Sequence, residues 1–329
     1  MKVAIITGVT GQDGSLLASL LLKKKYRVIG IFTPNRVFDN FRIQYLGLER
    51  LIDKRLINLL NIKEVMHLLE DIKPDEFYNL AAISSVGVSF NIPHEAFEFN
   101  TKSVLNILEA IRLVSPKTRL YQASSSEMFG NIGREQLPIK ESFLFHPVSP
   151  YGISKASAHW LTINYREAYK LDTCCGILFN HESALRPPHF VIKKIIRTAI
   201  NIKAGKENSL KLGNTSIVRD WGYAPMYVEA MWRMLQKEVL QDYLICSGNY
   251  MKLHEFVNMV FVYLNLEAEK YLQIDTSLLR SLDLEIIYGD NSRAMHDLGW
   301  DYSLSRDALV QKLIADEYAL MSWEVNQNK

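Results

Sequence analysis

Short apolar runs alternate with amphipathic stretches over the first 180 residues of the chain. Residues 3–6 form an apolar run of strand length, and residues 15–25 follow with leucines at helical spacing. Further strands are predicted at residues 26–32, 56–60, 76–82, 119–123 and 173–180, and helices at 62–72, 100–114 and 151–170. Because strands that alternate with helices are typical of a parallel sheet covered on both faces, the pattern predicts an α/β, doubly wound fold.

The alternation ends near residue 180. Residues 181–188 are polar and irregular, and residues 190–204 form a basic helical pattern that suits a lobe binding a diphosphate. We therefore predict an α/β domain followed by a smaller lobe that binds a diphosphate.

Composition adds constraints but little chemistry. The 329 residues are 48% hydrophobic and 22% charged, with a net charge of +2, so nothing indicates a nucleic-acid or membrane partner. No charged-then-apolar leader and no apolar run of about 18 residues is present, which favours a cytoplasmic protein. The three cysteines, of which Cys174 and Cys175 are adjacent, suit neither a disulfide framework nor a zinc site, and no metal is predicted.

A glycine-rich turn joins the first strand to the first helix. Gly8, Gly11 and Gly14 follow the apolar run, within Thr-Gly-Val-Thr-Gly-Gln-Asp-Gly. Glycines allow the backbone to approach a pyrophosphate, and the helix N-terminus supplies N–H groups and positive dipole. The turn therefore predicts a dinucleotide cofactor.

The end of the second strand indicates which cofactor. An acidic residue there would bind a ribose 2′-hydroxyl, whereas a basic residue would bind a 2′-phosphate. The chain reads Thr-Pro-Asn-Arg at residues 33–36, without an acid and with Arg36 nearby. This favours NADP, with NAD as the alternative.

Hydroxyl, carboxylate, phenol and amine groups follow later strands. Ser125 and Glu127 come directly after the strand at 119–123, and Tyr151 and Lys155 stand four residues apart on a predicted helix. Lys155 therefore lies one turn from Tyr151, where its ammonium group is expected to lower the phenol pKa and make a base for alcohol oxidation. Parallel strands bring their carboxyl ends to one edge, so these groups should meet the cofactor turn.

From about residue 3 to about 301 the chain resembles the extended short-chain dehydrogenase/reductases, and within them the GDP-mannose 4,6-dehydratase family. The wordings Asn-His-Glu-Ser at 180–183 and Arg-Asp-Trp-Gly at 219–222 are the most specific. The other matching phrases lie at residues 7–15, 79–82, 86–90, 121–127, 149–151, 177–179 and 298–300.

The resemblance implies a dinucleotide-binding domain and a smaller, discontinuous sugar-nucleotide-binding lobe. The domain comprises residues 1–178 and receives about 223–247, and the lobe comprises 179–222 and 248–329.

The resemblance also implies a role for each matching position. The catalytic set is Ser125, where the family usually has threonine, with Glu127, Tyr151 and Lys155. The residues expected to hold the cofactor are Gly8, Thr10, Gly11, Gln12, Asp13, Gly14, Arg36, Asn58, Leu59, Leu80, Ala81, Ala82, Ser84, Tyr151, Lys155, His181 and Arg186. Those expected to contact substrate are Ser84, Ser125, Glu127, Asn180, Lys193, Arg219 and Arg280.

Several positions depart from the family pattern. Residues 32–35 read Phe-Thr-Pro-Asn where the family has two arginines followed by serines. Asn58 replaces an adenine-facing acid, Ile83 replaces a glutamine beside the cofactor, and Ser281 replaces a proline. These changes concern the binding of cofactor and substrate and leave the catalytic set intact.

The implied activity is conversion of GDP-mannose to GDP-4-keto-6-deoxy-mannose by transient oxidation at C4, loss of water across C5 and C6, and hydride return to C6. A GDP-manno-heptose dehydratase with the same mechanism is an alternative. A nucleotide-sugar epimerase or reductase, or a non-catalytic nicotinamide-sensing protein, is a more distant one. The predicted helices at 100–114 and 151–170 resemble the pair that forms the dimer contact in this superfamily, which implies a homodimer or homotetramer.

Overall fold

Parallel strands form the central layer of the molecule. The computed structural model describes residues 1–34, 40–279 and 283–327. Its strands are β1 (Val3–Thr7), β2 (Arg27–Phe32), β3 (Asp53–Leu56), β4 (Glu76–Asn79), β5 (Arg119–Ser125), β6 (Thr173–Leu178), β7 (Asn180–Glu182), β8 (Leu210–Leu212), β9 (Val218–Tyr223), β10 (Tyr243–Ile245), β11 (Tyr250–Lys252), β12 (Leu272–Ile274) and β13 (Ile286–Ile287). Seven of them form one sheet in the order β10-β6-β5-β4-β1-β2-β3, with all neighbours parallel.

Helices cover both faces of this sheet. They are α1 (Gln12–Lys23), α2 (Phe41–Tyr45), α3 (Ile62–Ile72), α4 (Val86–Asn91), α5 (Pro93–Phe97), α6 (Ser103–Val114), α7 (Pro150–Tyr169), α8 (Val191–Lys203), α9 (Ala224–Gln236), α10 (Leu253–Tyr263), α11 (Ser292–Leu298) and α12 (Arg306–Gln327). Because side chains alternate along a strand, Ala4 and Ile6 pack with α1 and α9, whereas Ile5 packs with α3, α6 and α7. The predicted doubly wound fold is confirmed.

The third strand was predicted at residues 56–60, and this placement was wrong. The strand is Asp53–Leu56, which pairs only with β2 at the edge of the sheet. Leu56 is 62% exposed, and the apolar run turns inward afterwards, where Leu59 is buried. An edge strand need not be apolar on both faces. The apolar residues at 56–60 therefore belong mostly to the segment that follows the strand, and the strand itself has no apolar run.

A second group of strands lies beyond the main sheet. Strands β11, β9 and β13 pair in that order, and β7 also pairs with β9. Their helices α8, α10 and α12 share a separate apolar core that includes Ile195, Phe256 and Leu313. The chain between β9 and β11 returns to the main sheet as β10. This strand order supports the predicted lobe boundaries, which stay a proposal.

Candidate active site

A cavity of about 550 Å³ opens over the carboxyl ends of the central strands. Its wall includes residues that follow β1, β4, β5 and β6, so the convergence expected of a parallel sheet is present. The predicted site residues that line it are Gly8, Thr10, Gly11, Gln12, Asp13, Gly14, Leu80, Ala81, Ala82, Ser84, Ser125, Glu127, Tyr151, Lys155, Asn180, His181, Arg186 and Arg219.

The glycine turn makes a cradle that side chains would fill. Gly8 has a φ of 67°, and a Cβ on Gly14 would lie 2.2 Å from the carbonyl oxygen of Gly8. Gly11 donates its N–H to that same oxygen at 2.9 Å and caps α1, without any side-chain hydrogen bond at this cap. A bare backbone at a helix N-terminus has the shape and the donors that a dinucleotide pyrophosphate requires.

Small residues after β4 bring the next strand close to this turn. A Cβ on Gly8 would lie 3.0 Å from the Cα of Ala81. The Thr7 hydroxyl accepts hydrogen bonds from the backbone N–H groups of Leu80 and Ala81, at 3.0 and 3.1 Å. The residues present therefore fit a nicotinamide dinucleotide lying across the strand ends.

Local structure explains how the four predicted catalytic residues face one cavity. Ser125 is the last residue of β5, and Glu127 lies on the short 3₁₀ turn that follows it. Tyr151 and Lys155 lie near the start of α7, because Ser149 caps this helix by accepting the N–H of Gly152 at 3.0 Å. Pro150 occupies the first helical position, where its missing N–H has no consequence.

Burial dominates the electrostatics of the tyrosine and lysine pair. Burial raises the pKa of Tyr151 to about 12, opposed by a hydrogen bond with Ser125 and reinforced by the charge of Glu127. Burial also lowers the pKa of Lys155 to about 8. The pKa of Tyr151 is thus raised, whereas the sequence predicted a lowered one, because burial outweighs the groups that favour the phenolate. The Lys155 ammonium lies 5.9 Å from the Tyr151 ring centroid and donates to the Ala123 carbonyl.

Asp13 and His181 link the glycine turn to the segment after β6. The Nε2 atom of His181 lies 2.9 Å from the Asp13 carboxylate, and its ring stacks on Tyr227 with centroids 4.5 Å apart. Burial acts against the Asp13 charge, but His181 and Arg186 outweigh it and lower the Asp13 pKa to about 2. Burial likewise acts against the imidazolium, yet Asp13 raises the His181 pKa above its usual value.

Two arginines supply positive charge to the wall that faces the second group of strands. The Arg186 Nε lies 3.5 Å from the Glu182 carboxylate, and its guanidinium lies 3.8 Å from the Phe190 ring centroid. Burial raises the Glu182 pKa, while the Arg186 charge opposes this rise. Arg219 is buried and donates to the Asp283 carboxylate at 3.3 Å.

Some predicted contacts lie elsewhere. Asn58, Leu59 and Lys193 are not among the residues that line the cavity. Lys193 is buried, donates to the Ala184 carbonyl at 2.6 Å and pairs with Glu317 of α12. Arg36 and Arg280, like Ser281, lie outside the described residues. The roles of all these residues stay predictions.

The sequence did not reveal several side chains that shape the site. Arg42 lines the cavity and donates to the carbonyls of Leu185 at 2.6 Å and Thr10 at 3.2 Å. The Ser89 hydroxyl accepts the N–H of Tyr151, and Asn100 donates to the Ser154 hydroxyl at 3.0 Å. These partners are 62 and 54 residues apart in sequence, so no local pattern connects them. Asn100 lies in a π-helical turn, Glu98–Lys102, a feature that the structure shows and the sequence does not.

His159 and Cys175, which are buried, and Asp242, which is half-buried, form a cluster with potential ligand atoms within 4.8 Å of one another. Both carboxylate oxygens of Asp242 already accept hydrogen bonds from Arg166, and one also accepts the Cys175 N–H. These bonds give the cluster a structural explanation. No helix among the described residues is both long and apolar enough to cross a bilayer.

The parallel sheet, the glycine turn and the tyrosine and lysine pair together define an extended short-chain dehydrogenase/reductase. Solved structures with this fold include dTDP-glucose 4,6-dehydratase of Bacillus anthracis in complex with NAD, with a TM-score of 0.85, 19% identity and 98% of each chain covered. UDP-glucose 4-epimerase of Thermotoga maritima has a TM-score of 0.86, with 19% identity over 97% of this chain and 99% of the other.

Sequence comparison identifies the family more narrowly. The model of the GDP-mannose 4,6 dehydratase family matches residues 5–313. The chain is 41% identical to GDP-mannose 4,6 dehydratase 2 of Arabidopsis thaliana, over 98% of this chain and 88% of that protein. It is 37% identical to GDP-mannose 4,6-dehydratase of Vibrio cholerae, over 96% and 93% of the two chains. The chain belongs to the GDP-mannose 4,6-dehydratase family.

Proposed function

We propose that this protein is a nicotinamide-dependent hydro-lyase that converts GDP-mannose to GDP-4-keto-6-deoxy-mannose. The observation that carries the proposal is the position of Glu127, which lines the same cavity as Ser125, Tyr151 and Lys155. A tyrosine and a lysine suffice for oxidation and reduction of an alcohol, whereas elimination across C5 and C6 needs a further base. Glu127 supplies that base.

The cofactor is NADP, with NAD as the alternative. The glycine turn of Gly8, Gly11 and Gly14 would hold its pyrophosphate, and the cavity reaches Thr33, directly after β2. A bound oxidised nicotinamide would supply positive charge in the cavity and an acceptor for the hydride that leaves C4 and returns to C6. Because this transfer has no net redox change, the protein needs no second reductant.

The side chains divide the proton transfers between them. Tyr151 takes the proton of the sugar 4-hydroxyl, assisted by the hydrogen bond of Ser125 and the charge of Lys155. The 4-ketone acidifies the hydrogen at C5, and Glu127 removes it as a proton. That proton is the one that the departing 6-hydroxyl needs in order to leave as water. When hydride has returned to C6, C5 takes up one proton and Tyr151 gives up the proton of the 4-hydroxyl, so the site returns to its starting state. Arg219 and Asn180, on the opposite wall, are proposed to hold the nucleotide part of the substrate.

Turnover of GDP-mannose tests the proposal. The purified protein with NADP should convert GDP-mannose to a product with the alkaline ultraviolet absorption of a 4-keto sugar. If GDP-mannose gives no product and a GDP-manno-heptose is turned over, the heptose is favoured as the substrate instead. Mass spectrometry of co-purified ligands would identify both cofactor and nucleotide.

The decisive variant is Glu127→Gln. Loss of the carboxylate should lower the dehydration rate by at least about 100-fold, while oxidation at C4 persists, because Tyr151 and Lys155 are unchanged. Glu135→Gln, on an exposed turn nearby, is the matched control. Unchanged dehydration by Glu127→Gln would contradict the assignment.

A further inference from the structure

A backbone carbonyl group holds the lysine of the proposed site in place. Lys155 is buried, and its Nζ donates to the carbonyl oxygen of Ala123 at 2.9 Å. No carboxylate of the described residues lies within ion-pairing distance of it. The position of this ammonium group therefore depends on where one backbone carbonyl points, and on what else binds that carbonyl.

A second donor binds the same oxygen. The side-chain amide of Gln122 donates to the Ala123 carbonyl at 3.0 Å and accepts a hydrogen bond from Asn79 at 2.8 Å. The Asn79 carbonyl oxygen in turn accepts the Thr7 hydroxyl at 2.6 Å. Gln122 is only 1% exposed and Asn79 and Thr7 are equally buried, so protein groups alone satisfy this chain of bonds.

The direction of every bond in this chain follows from its first member. Thr7 accepts two backbone N–H groups, from Leu80 and Ala81, and backbone donors cannot reverse. Its single proton must therefore go to the Asn79 oxygen. The Asn79 amide nitrogen then faces Gln122, which must present its oxygen there and its nitrogen to Ala123.

We propose that Gln122 is a positioning residue that, together with Asn79 and Thr7, places the Lys155 ammonium group relative to the cofactor turn. The chain of bonds joins the ends of three strands: β1, which leads into the glycine turn; β4, which leads to Ala81; and β5, which leads to Ser125. Strand β4 ends at Asn79, opposite Gln122, so β5 continues beyond its partner on that side. The hydrogen bond between the side-chain amides of Asn79 and Gln122 links β4 and β5 at the point where their backbone pairing ends.

The Gln122 amide should also lower the pKa of Lys155. Its amide hydrogens point at the oxygen that the ammonium group shares, so the positive end of the amide dipole opposes the lysine charge. Removing this amide should raise the pKa of Lys155, which burial lowers to about 8. A residue that merely fills space would leave that pKa where it is.

The first test is Gln122→Met, which keeps the length of the side chain and removes both hydrogen bonds. This inference rests on the proposed dehydratase activity. We expect kcat for GDP-mannose to fall by about tenfold or more, with KM changed by less than about twofold, because the substrate wall is untouched. Tyr121→Phe is the matched control, since the Tyr121 hydroxyl on the same strand is buried and has no hydrogen-bond partner among the described residues.

The second test is Gln122→Glu. A protonated carboxyl group can accept from Asn79 and donate to Ala123, as the glutamine does, whereas an ionised carboxylate has no proton to donate. Because residue 122 is buried, the pKa of a carboxyl group there is raised, so the activity of this variant relative to wild type should be highest at acidic pH and fall as the pH rises. A ratio that does not change with pH would overturn the proposal.

A measurement without turnover separates this inference from the proposed function. NMR titration of isotopically labelled lysine side chains, assigned with Lys155→Arg, reports the Lys155 pKa directly. We expect an upward shift in Gln122→Met and in Gln122→Glu, and no shift in Tyr121→Phe. A wild-type protein that is inactive on GDP-mannose would reject the function alone, whereas unchanged kcat and unchanged Lys155 pKa in the Gln122 variants would reject the positioning role.

Discussion

At the scale of single residues, Ser125 shows how burial and hydrogen bonding compete at the proposed catalytic base. Burial raises the pKa of Tyr151 to about 12, and the hydrogen bond with Ser125 is the largest effect that opposes this rise. The family usually carries a threonine at this position. Both residues provide a hydroxyl, so either can stabilise the phenolate.

Replacing Ser125 with alanine should therefore weaken the base. The pKa of Tyr151 rises further when this hydrogen bond is lost, so less phenolate forms at neutral pH and the rise of kcat with pH moves to more alkaline pH. We expect kcat near neutral pH to fall by about tenfold to 100-fold. Ser125→Thr is the control and should restore both rate and pH profile. A Ser125→Ala profile that matches wild type would contradict this role for the hydroxyl.

The grouping of the four proposed catalytic residues was predictable because they belong to local motifs, at the end of β5 and near the start of α7. Ser125, Glu127, Tyr151 and Lys155 each stand at a position that the parallel sheet brings to one edge. The direction of the Tyr151 pKa shift was not predictable, since it depends on burial by distant parts of the chain. Gln122 gave no signal for the same reason: its partner Asn79 is 43 residues away.

At the scale of elements, the N-terminal end of α1 is held against β7. Gln12 donates to the His181 carbonyl at 3.1 Å and accepts the Ser183 hydroxyl at 2.9 Å, beside the Asp13–His181 pair. This contact fixes the glycine turn against the second group of strands. The glycine motif around Gly11 could be recognised in the sequence. Its contact with the second group of strands could not, because the partner residues are more than 160 positions away.

Asp13→Asn should loosen this junction in a pH-dependent way. The lowered pKa of Asp13 stabilises the fold above about pH 4, an effect lost as pH falls through about 2. The raised pKa of His181 stabilises it below about pH 6.5, an effect lost as pH rises through the folded-state value. The pair is therefore strongest between these limits.

Thermal unfolding measures this effect. We expect Asp13→Asn to lower the unfolding free energy by about 2 kcal/mol near pH 6 and by less near pH 9. Asp71→Asn, which removes an exposed carboxylate, is the control. An equal loss of stability at both pH values would show that the charge of His181 does not contribute.

The edge strand β3 could not be located from the hydrophobic pattern of the sequence. Strand β3 is short, charged and paired on one side only, so its sequence lacks the apolar run that located the central strands. By contrast α3, with its strong amphipathic pattern, was predicted at its observed bounds of Ile62–Ile72.

At the scale of the whole molecule, α6 and α7 expose apolar side chains that no other described part of the chain covers. Leu105 and Leu113 on α6 and Ile153 and Trp160 on α7 are all exposed, and Ile153 and Trp160 lie on one face because they are seven residues apart. The resemblance to the superfamily implies that a second copy covers this surface. We propose that the protein is a homodimer or homotetramer through these helices.

Trp160→Glu tests this assembly. Trp160 is 57% exposed, so a charge there should leave the fold intact while it disrupts a packed interface. Light scattering should show a dimer or tetramer for wild type and a shift to single chains for the variant. Val262→Glu, at a residue 72% exposed on α10, should keep the wild-type mass. A wild-type monomer would contradict the proposal.

The return of the chain to the main sheet at β10 has a consequence for how the protein is made. Strand β6 gains its outer partner only from Tyr243–Ile245, and α9 covers α1 with Tyr227 and Met231. During synthesis at about 5–20 residues/s, the edge of β6 waits several seconds for this strand to leave the ribosome. A gene cut after residue 178 would leave that edge permanently open, so we expect such a fragment to aggregate.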